Sequence, residues 1–154
     1  MKNQIVWKWY LFEDLNYQEL HDMYALRQDV FIIEQECLYK DIDGKDGEAY
    51  HLLGWYENKL VATLRLFESY QPYLNNASIG RVCTDSSVRK HGIGKVLVEK
   101  AIEFVEENFL RKSIQIGAQY YLKNFYQTFG FEQISEIYDE DGIDHIFMIK
   151  EFKN

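Results

Sequence analysis

Apolar and polar positions run along this chain in two rhythms, and the rhythm changes at glycines, asparagines and aspartates. Ile5 to Phe12 has the aromatic-rich, period-two character of a β-strand. Asn16 or Asp14 then stands where a helix needs a cap. That helix is predicted to run to about Ile33, with Leu20, Met23, Tyr24, Val30 and Phe31 at helical spacing. Turns follow through Asp43-Gly44-Lys45-Asp46-Gly47. His51 to Tyr56 and Leu60 to Phe67 flank Glu57-Asn58-Lys59 and read as a hairpin. Ala77 to Thr84 reads as a further strand.

The period then lengthens. A helix from about Gly92 to Asn108 carries Ile93, Leu97, Ala101, Phe104 and Val105 on one face and Glu99, Glu103 and Glu106 on the other. Ser113 to Ala118 is a short strand, and Tyr121 to Thr128 a short helix ending at Gly130. Two strands bracket Asp141-Gly142, the last spanning His145 to Phe152. Strands, helix, meander and then a β-α-β-α-β-β run predict a mixed α/β (α+β) fold with a βαβ unit in its second half.

Composition narrows the function classes. A chain of 154 residues, 47% hydrophobic with a single proline and no linker or repeat, is expected to form one domain over residues 1–154. Acids outnumber bases 25 to 17, for a net charge of −8, so no nucleic-acid partner is expected. The excess acid favours a cationic small molecule or peptide at long range. Cys37 and Cys83 fit neither a CxxC nor a zinc pattern and read as reduced thiols, with no metal site. No apolar run approaches the roughly 18 residues of a membrane span, and Met1 to Tyr10 reads as a strand instead of a targeting peptide. A soluble, cytoplasmic protein is expected.

The chemistry concentrates in Arg89-Lys90-His91-Gly92-Ile93-Gly94, which follows a strand and opens the long helix. Glycines there let backbone approach a ligand, and the first helical N–H groups have no partner within the helix. The positive end of the helix favours phosphate, with Arg89, Lys90 and Lys95 adding charge. Close packing alone would also use such glycines. The full GxGxxG of a dinucleotide fold is absent, and no Gly-Lys-Ser/Thr follows as in a Walker loop. A pyrophosphate-bearing cofactor held by backbone amides is the remaining ligand reading.

Arg89-x-x-Gly92-x-Gly94 resembles the R/Q-x-x-G-x-G/A loop of the GNAT acetyltransferases. Asn124-Phe125-Tyr126-x-x-Phe129-Gly130-Phe131 resembles that family's second motif, with Ile114 to Ala118 as the strand between. More narrowly, the chain is similar to the ElaA-like branch from about residue 7 to residue 149. The similarity includes Val30-Phe31-Ile32-Ile33-Glu34-Gln35, His51-Leu52-Leu53, Ile79-Gly80-Arg81-Val82 and Glu140-Asp141-Gly142-Ile143-Asp144-His145. It departs at Asp144, where that branch has proline, and at Lys90-His91, where Arg-Gly is usual.

The resemblance implies a mostly antiparallel central sheet of about six or seven strands flanked by helices, and acetyl-CoA as cofactor. It implies that Val82, Cys83 and Thr84 hold the pantetheine arm and that the amides of Arg89, Lys90, His91, Gly92, Ile93, Gly94 and Lys95 hold the pyrophosphate. An amide near Val82 would stabilise the tetrahedral intermediate, and Tyr126 would protonate the departing thiolate. Asn124 either bonds the cofactor or caps its helix.

An amine acceptor with a pKa near 10.4 is only about one part in a thousand neutral at pH 7, so a base or a water chain is needed. His51, His145 and Glu34 are the candidate bases. Arg27 and Glu34 share a helical face, which makes them either a structural ion pair or, at the helix end, part of an acceptor cleft. Arg65 and Arg81 lie within strands and pair either with Glu34 or Asp43 or with a substrate carboxylate. Acyl transfer through a Cys83 acyl-enzyme and a non-catalytic acyl-CoA sensor are the competing readings. The acceptor, the acyl length and a homodimer stay open.

Overall fold

The computed structural model of the chain describes residues 1–153. Its elements are β1 (Val6–Leu11), α1 (Tyr17–Arg27), a π-helical stretch (Gln28–Glu34), β2 (Tyr50–Tyr56), β3 (Lys59–Tyr70) and β4 (Asn76–Thr84). There follow α2 (Ile93–Asn108), β5 (Ile114–Gln119), α3 (Lys123–Gln127), β6 (Glu132–Gln133), β7 (Tyr138–Glu140) and β8 (Ile143–Lys150). They form one eight-stranded sheet in the order β1-β2-β3-β4-β5-β8-β6, with β7 also on β8. All pairings are antiparallel except β4 with β5, which α2 joins as a βαβ unit. The expected six or seven strands become eight because β6, only two residues long, leaves no periodic signal, whereas β7 is the strand expected before Asp141-Gly142. The last strand begins at Ile143, ahead of the expected His145.

Local chemistry explains the elements that matter for the site. Asn16 caps α1 in a reciprocal box: its Oδ1 accepts the Glu19 N–H at 2.8 Å, while Glu19 Oε1 accepts the Asn16 N–H at 2.8 Å. Asp14 belongs to the preceding turn. The helix then loosens into its π-helical stretch, where the turn widens and the faces lose register. Arg27 is buried while Glu34 stands apart from it, so of the two alternatives the ion pair does not form and Glu34 instead borders a cleft.

Two apolar layers cover the sheet. On one side α2 buries Ile93, Leu97, Val98, Ala101 and Val105 against Leu52, Leu64, Leu66 and Ile79. On the other, Met23, Leu26 and Val30 pack on Tyr10, Leu53, Leu60 and Cys83. Among the described residues no helix is long and apolar enough to cross a membrane. Both cysteines are free and buried.

Candidate active site

The site grows from an interruption in the sheet. Ala77 pairs with Ile114, and beyond that single rung the parallel strands β4 and β5 diverge. A cleft of about 810 Å³ opens between them. Val82, Cys83 and Thr84 line it from β4, Ile116 to Gln119 from β5, and Leu122, Phe125 and Tyr126 from the turn and helix beyond. Opposite Thr63 and Arg65 of β3, β4 spends one residue more than its partner strand, since Thr63 faces Cys83 and Arg65 faces Gly80. That bulge frees backbone from the ladder beside Val82 and holds Arg81 at φ +49°, a conformation unusual for a side-chain-bearing strand residue.

The loop between β4 and α2 meets the same cleft. Asp85 fixes its first turn by accepting the Ser87 N–H at 3.0 Å, and Val88 anchors it in the core. Lys90 at φ +69° and Gly92 at φ +76° then reverse the backbone into α2. No side chain caps that helix, and among the described residues no protein acceptor takes the N–H groups of positions 90 to 95. Gly94 lines the cleft, and a Cβ placed on it would meet nothing within 4 Å. These open amides at the positive end of a sixteen-residue helix fit a diphosphate. Arg89 also lines the cleft, whereas the Lys90, His91 and Lys95 side chains are exposed away from its lining and Ile93 is buried in the core. Ile93 offers its amide alone.

Tyr126 projects from α3 into the cleft, only 8% exposed, its ring edge-on to Phe125 and Phe131. Burial pushes its phenol up from the ordinary value near 10, so it is held protonated. Burial likewise pushes the Cys83 thiol up. That removes the thiolate which an acyl-enzyme route would need. Asn124 does not cap its helix: Leu122 occupies the cap position of α3 without a side-chain bond, and the Asn124 side chain is exposed outside the cleft lining.

The far end of the cleft corrects several expectations. Arg27 is 1% exposed and off the cleft lining, with Nε 3.0 Å from Asp41 Oδ2 and Nη1 2.9 Å from Asp46 Oδ1. It is a structural cation. Arg65 and Arg81 do line the cleft but are already matched by acid. Arg65 donates to both Asp43 oxygens, at 3.0 and 2.8 Å, and to Asp46 at 3.1 Å. Arg81 Nη2 reaches Asp43 Oδ2 at 3.3 Å, and Nε lies 2.8 Å from Asp41 Oδ1, a close ion contact without hydrogen-bond alignment. Burial alone would raise Asp43, but the Arg65 hydrogen bonds outweigh it and hold the carboxyl well below its usual range. The aspartates, not a substrate, satisfy these arginines.

His51 is also corrected as a base. It is fully buried, off the cleft lining, with Nε2 2.9 Å from the Asp46 carbonyl. Burial depresses its pKa, and its role is to hold the 46–48 turn against β2. His145 differs. It lines the cleft, with Nδ1 2.8 Å from the Ile143 carbonyl and Nε2 3.1 Å from Glu140 Oε2, stacked on Tyr138. Glu34 lines the cleft too, its Oε1 taking a 2.8 Å bond from Arg89, which also donates to the Thr84 carbonyl.

Lys45, Tyr73 and Glu140 line the cleft without having been expected there. Tyr73 is pushed up to about 12 by burial, then by Tyr70 and Glu140. It sits on a single turn after β3 and Lys45 in an irregular loop, so neither left a periodic signal.

Residues 13–152 match the model of the acetyltransferase (GNAT) domain. Protein ElaA of Escherichia coli K12 is 40% identical over 149 residues, 96% of this chain and 97% of the relative. The crystal structure of E. coli ElaA superposes with a TM-score of 0.88 at 38% identity, covering 96% of this chain and 99% of that one. An acyl-CoA N-acyltransferase from Pseudomonas aeruginosa gives a TM-score of 0.89 at 35% identity, covering 95% and 99%. A GNAT family acetyltransferase from Elizabethkingia anophelis, solved with acetyl-CoA bound, shares the fold at 17% identity, with a TM-score of 0.69 and coverage of 97% and 99%.

Proposed function

The chain belongs to the GNAT acetyltransferase family, and from that membership we propose that it transfers an acetyl group from acetyl-CoA to a primary amine by direct attack. The observation that carries this reading is the run of unpartnered amides at 90–95 opening onto the same cleft as Tyr126 and the β4 bulge. The acetyl-CoA bound to the E. anophelis relative supports the choice of cofactor.

Bound acetyl-CoA supplies the activated carbonyl; the remaining work falls to the chain. The amides of 90–95 would take the diphosphate, and the β4 edge from Val82 to Thr84 would hold the pantetheine arm. Backbone released by the bulge beside Val82 would stabilise the thioester carbonyl oxygen as it gains charge. The incoming amine must lose a proton at a cost of roughly 4–5 kcal/mol at pH 7. His145 receives it at Nε2, since Nδ1 is engaged with the Ile143 carbonyl, and Glu140 beside Nε2 offsets the new positive charge. Tyr126, kept protonated by its burial, donates to the leaving sulfur. The two free, buried thiols suit a reducing compartment, and a cytoplasmic site of action belongs to this reading.

Tyr126→Phe tests the assignment. Thiol release should fall about a hundredfold or more while acetyl-CoA still raises the melting temperature. A wild-type protein that binds acetyl-CoA yet releases thiol with no member of a broad amine panel would instead be a sensor.

A further inference from the structure

Charge matching at the acceptor end singles out one cation. Arg27, Arg65 and Arg81 face Asp41, Asp43 and Asp46, three against three, each guanidinium within 3.3 Å of carboxylate oxygen. Lys45 lines the same cleft half-buried, and among the described residues no carboxylate comes within 4.0 Å of its Nζ. Its loop is fixed, because the Lys45 N–H donates to Asp43 Oδ1 at 3.0 Å. Its ammonium is placed as well, donating to Tyr70 Oη at 2.7 Å and lying 5.0 Å from that ring's centre. Lys40 on the same loop also lines the cleft without an acid partner, but it is exposed, so water solvates it, whereas Lys45 is half-buried. A half-buried ammonium with only a phenol for company is under-solvated, and an arriving anion corrects that.

An aromatic path leads from this cation to the proposed base. Tyr70 meets Tyr73 at 4.8 Å between centroids, Tyr73 meets Phe147 at 5.5 Å, Phe147 meets Tyr138 at 4.7 Å, and Tyr138 stacks on His145 at 5.9 Å. Phe67, Tyr70 and Tyr73 present themselves to the cleft. The acceptor end therefore has an anion reader, an apolar flank and, at its other extreme, the imidazole–carboxylate pair that handles an amine.

We propose that the acceptor is an amine that also carries a carboxylate, an amino acid or a short peptide with a free C-terminus, and that Lys45 reads that carboxylate. The proposal rests on the acyl-transfer reading above. Phenylalanine, Gly-Phe and Gly-Gly-Phe, each as the C-terminal acid and the C-terminal amide, supply a series in which charge and span vary separately. With acetyl-CoA and a thiol-release readout, the acid should exceed its amide by tenfold or more in kcat/KM for at least one length, through KM. Lys45→Gln should collapse that ratio to about one, and Lys45→Arg should retain it. Equal rates for acid and amide at every length overturn the proposal, as does an acid preference that survives Lys45→Gln. No turnover of any of the six probes while acetyl-CoA stabilises the protein also overturns it, leaving the cofactor reading standing. A protein that acetyl-CoA does not stabilise defeats the underlying reading instead.

Discussion

The two ends of the cleft are built by different means. At the cofactor end, a few consecutive residues supply bare peptide N–H groups, and their side chains matter little: Ile93 is buried and Lys90, His91 and Lys95 point to solvent. At the acceptor end, side chains from α1, β3, β4 and the loop before β2 neutralise one another across large sequence separations. The first end is a backbone device that tolerates side-chain drift. The second is a network in which each member holds others in place, so loss of one leaves an uncompensated charge.

The contrast can be broken at its strongest point with Arg27→Ala. Removing this buried cation leaves Asp41 to Arg81 alone and Asp46 to Arg65 alone, two buried carboxylates each short of a partner, and urea unfolding should show a loss of about 3–5 kcal/mol. Loss below about 1 kcal/mol would mean that the network is loosely held. At the opposite end, Gly94→Ala should separate stability from binding. A Cβ there has room and improves helix propensity, so the free protein should gain about 0.5–1 kcal/mol. The same methyl group projects toward the cleft and should weaken acetyl-CoA about tenfold by calorimetry, or about 1.4 kcal/mol.

The smallest effect concerns His51. Its folded pKa is depressed by burial, so the unfolded chain binds the proton more readily. Its contribution to stability is full above about pH 6.5 and is lost as pH falls from there through the folded value. His51→Gln, which keeps a donor toward the Asp46 carbonyl, should remove that part of the pH dependence of the melting temperature. The pH profile of thiol release should stay where it was, because His51 lies off the cleft lining. A moved profile would return His51 to the chemistry.

Much of the cofactor end was legible in the sequence because its determinants are contiguous. Glycines at the head of an apolar-striped helix state both the turn and the anion site within a few residues, and Tyr126 falls on the next helix of the same motif pair. The acceptor end resisted reading because it depends on phase and on distance. The π-helical stretch widened the turn between Arg27 and Glu34, so the shared face expected from α-helical spacing is lost and the spacing hid that Glu34 meets Arg89. Asp41 and Asp46 stand in loop and turn, where no periodicity announces a buried carboxylate. Strand alternation places His51 on the face of Leu53, but alternation cannot tell a core histidine from one beside a cleft.

The single rung at Ala77 and Ile114 also leaves the flanks of two central strands without a ladder partner. Unpaired strand flanks normally invite sheets from other chains to add on. Here the two flanks face inward across a wedge that closes to strand spacing, about 4.8 Å, at its apex. A foreign sheet cannot seat there, since a strand would have to thread edgewise into a blind slot. Only a slender chain with its own donors and acceptors fits between these inward-facing flanks, while the outer edges of the sheet are β1 and β6.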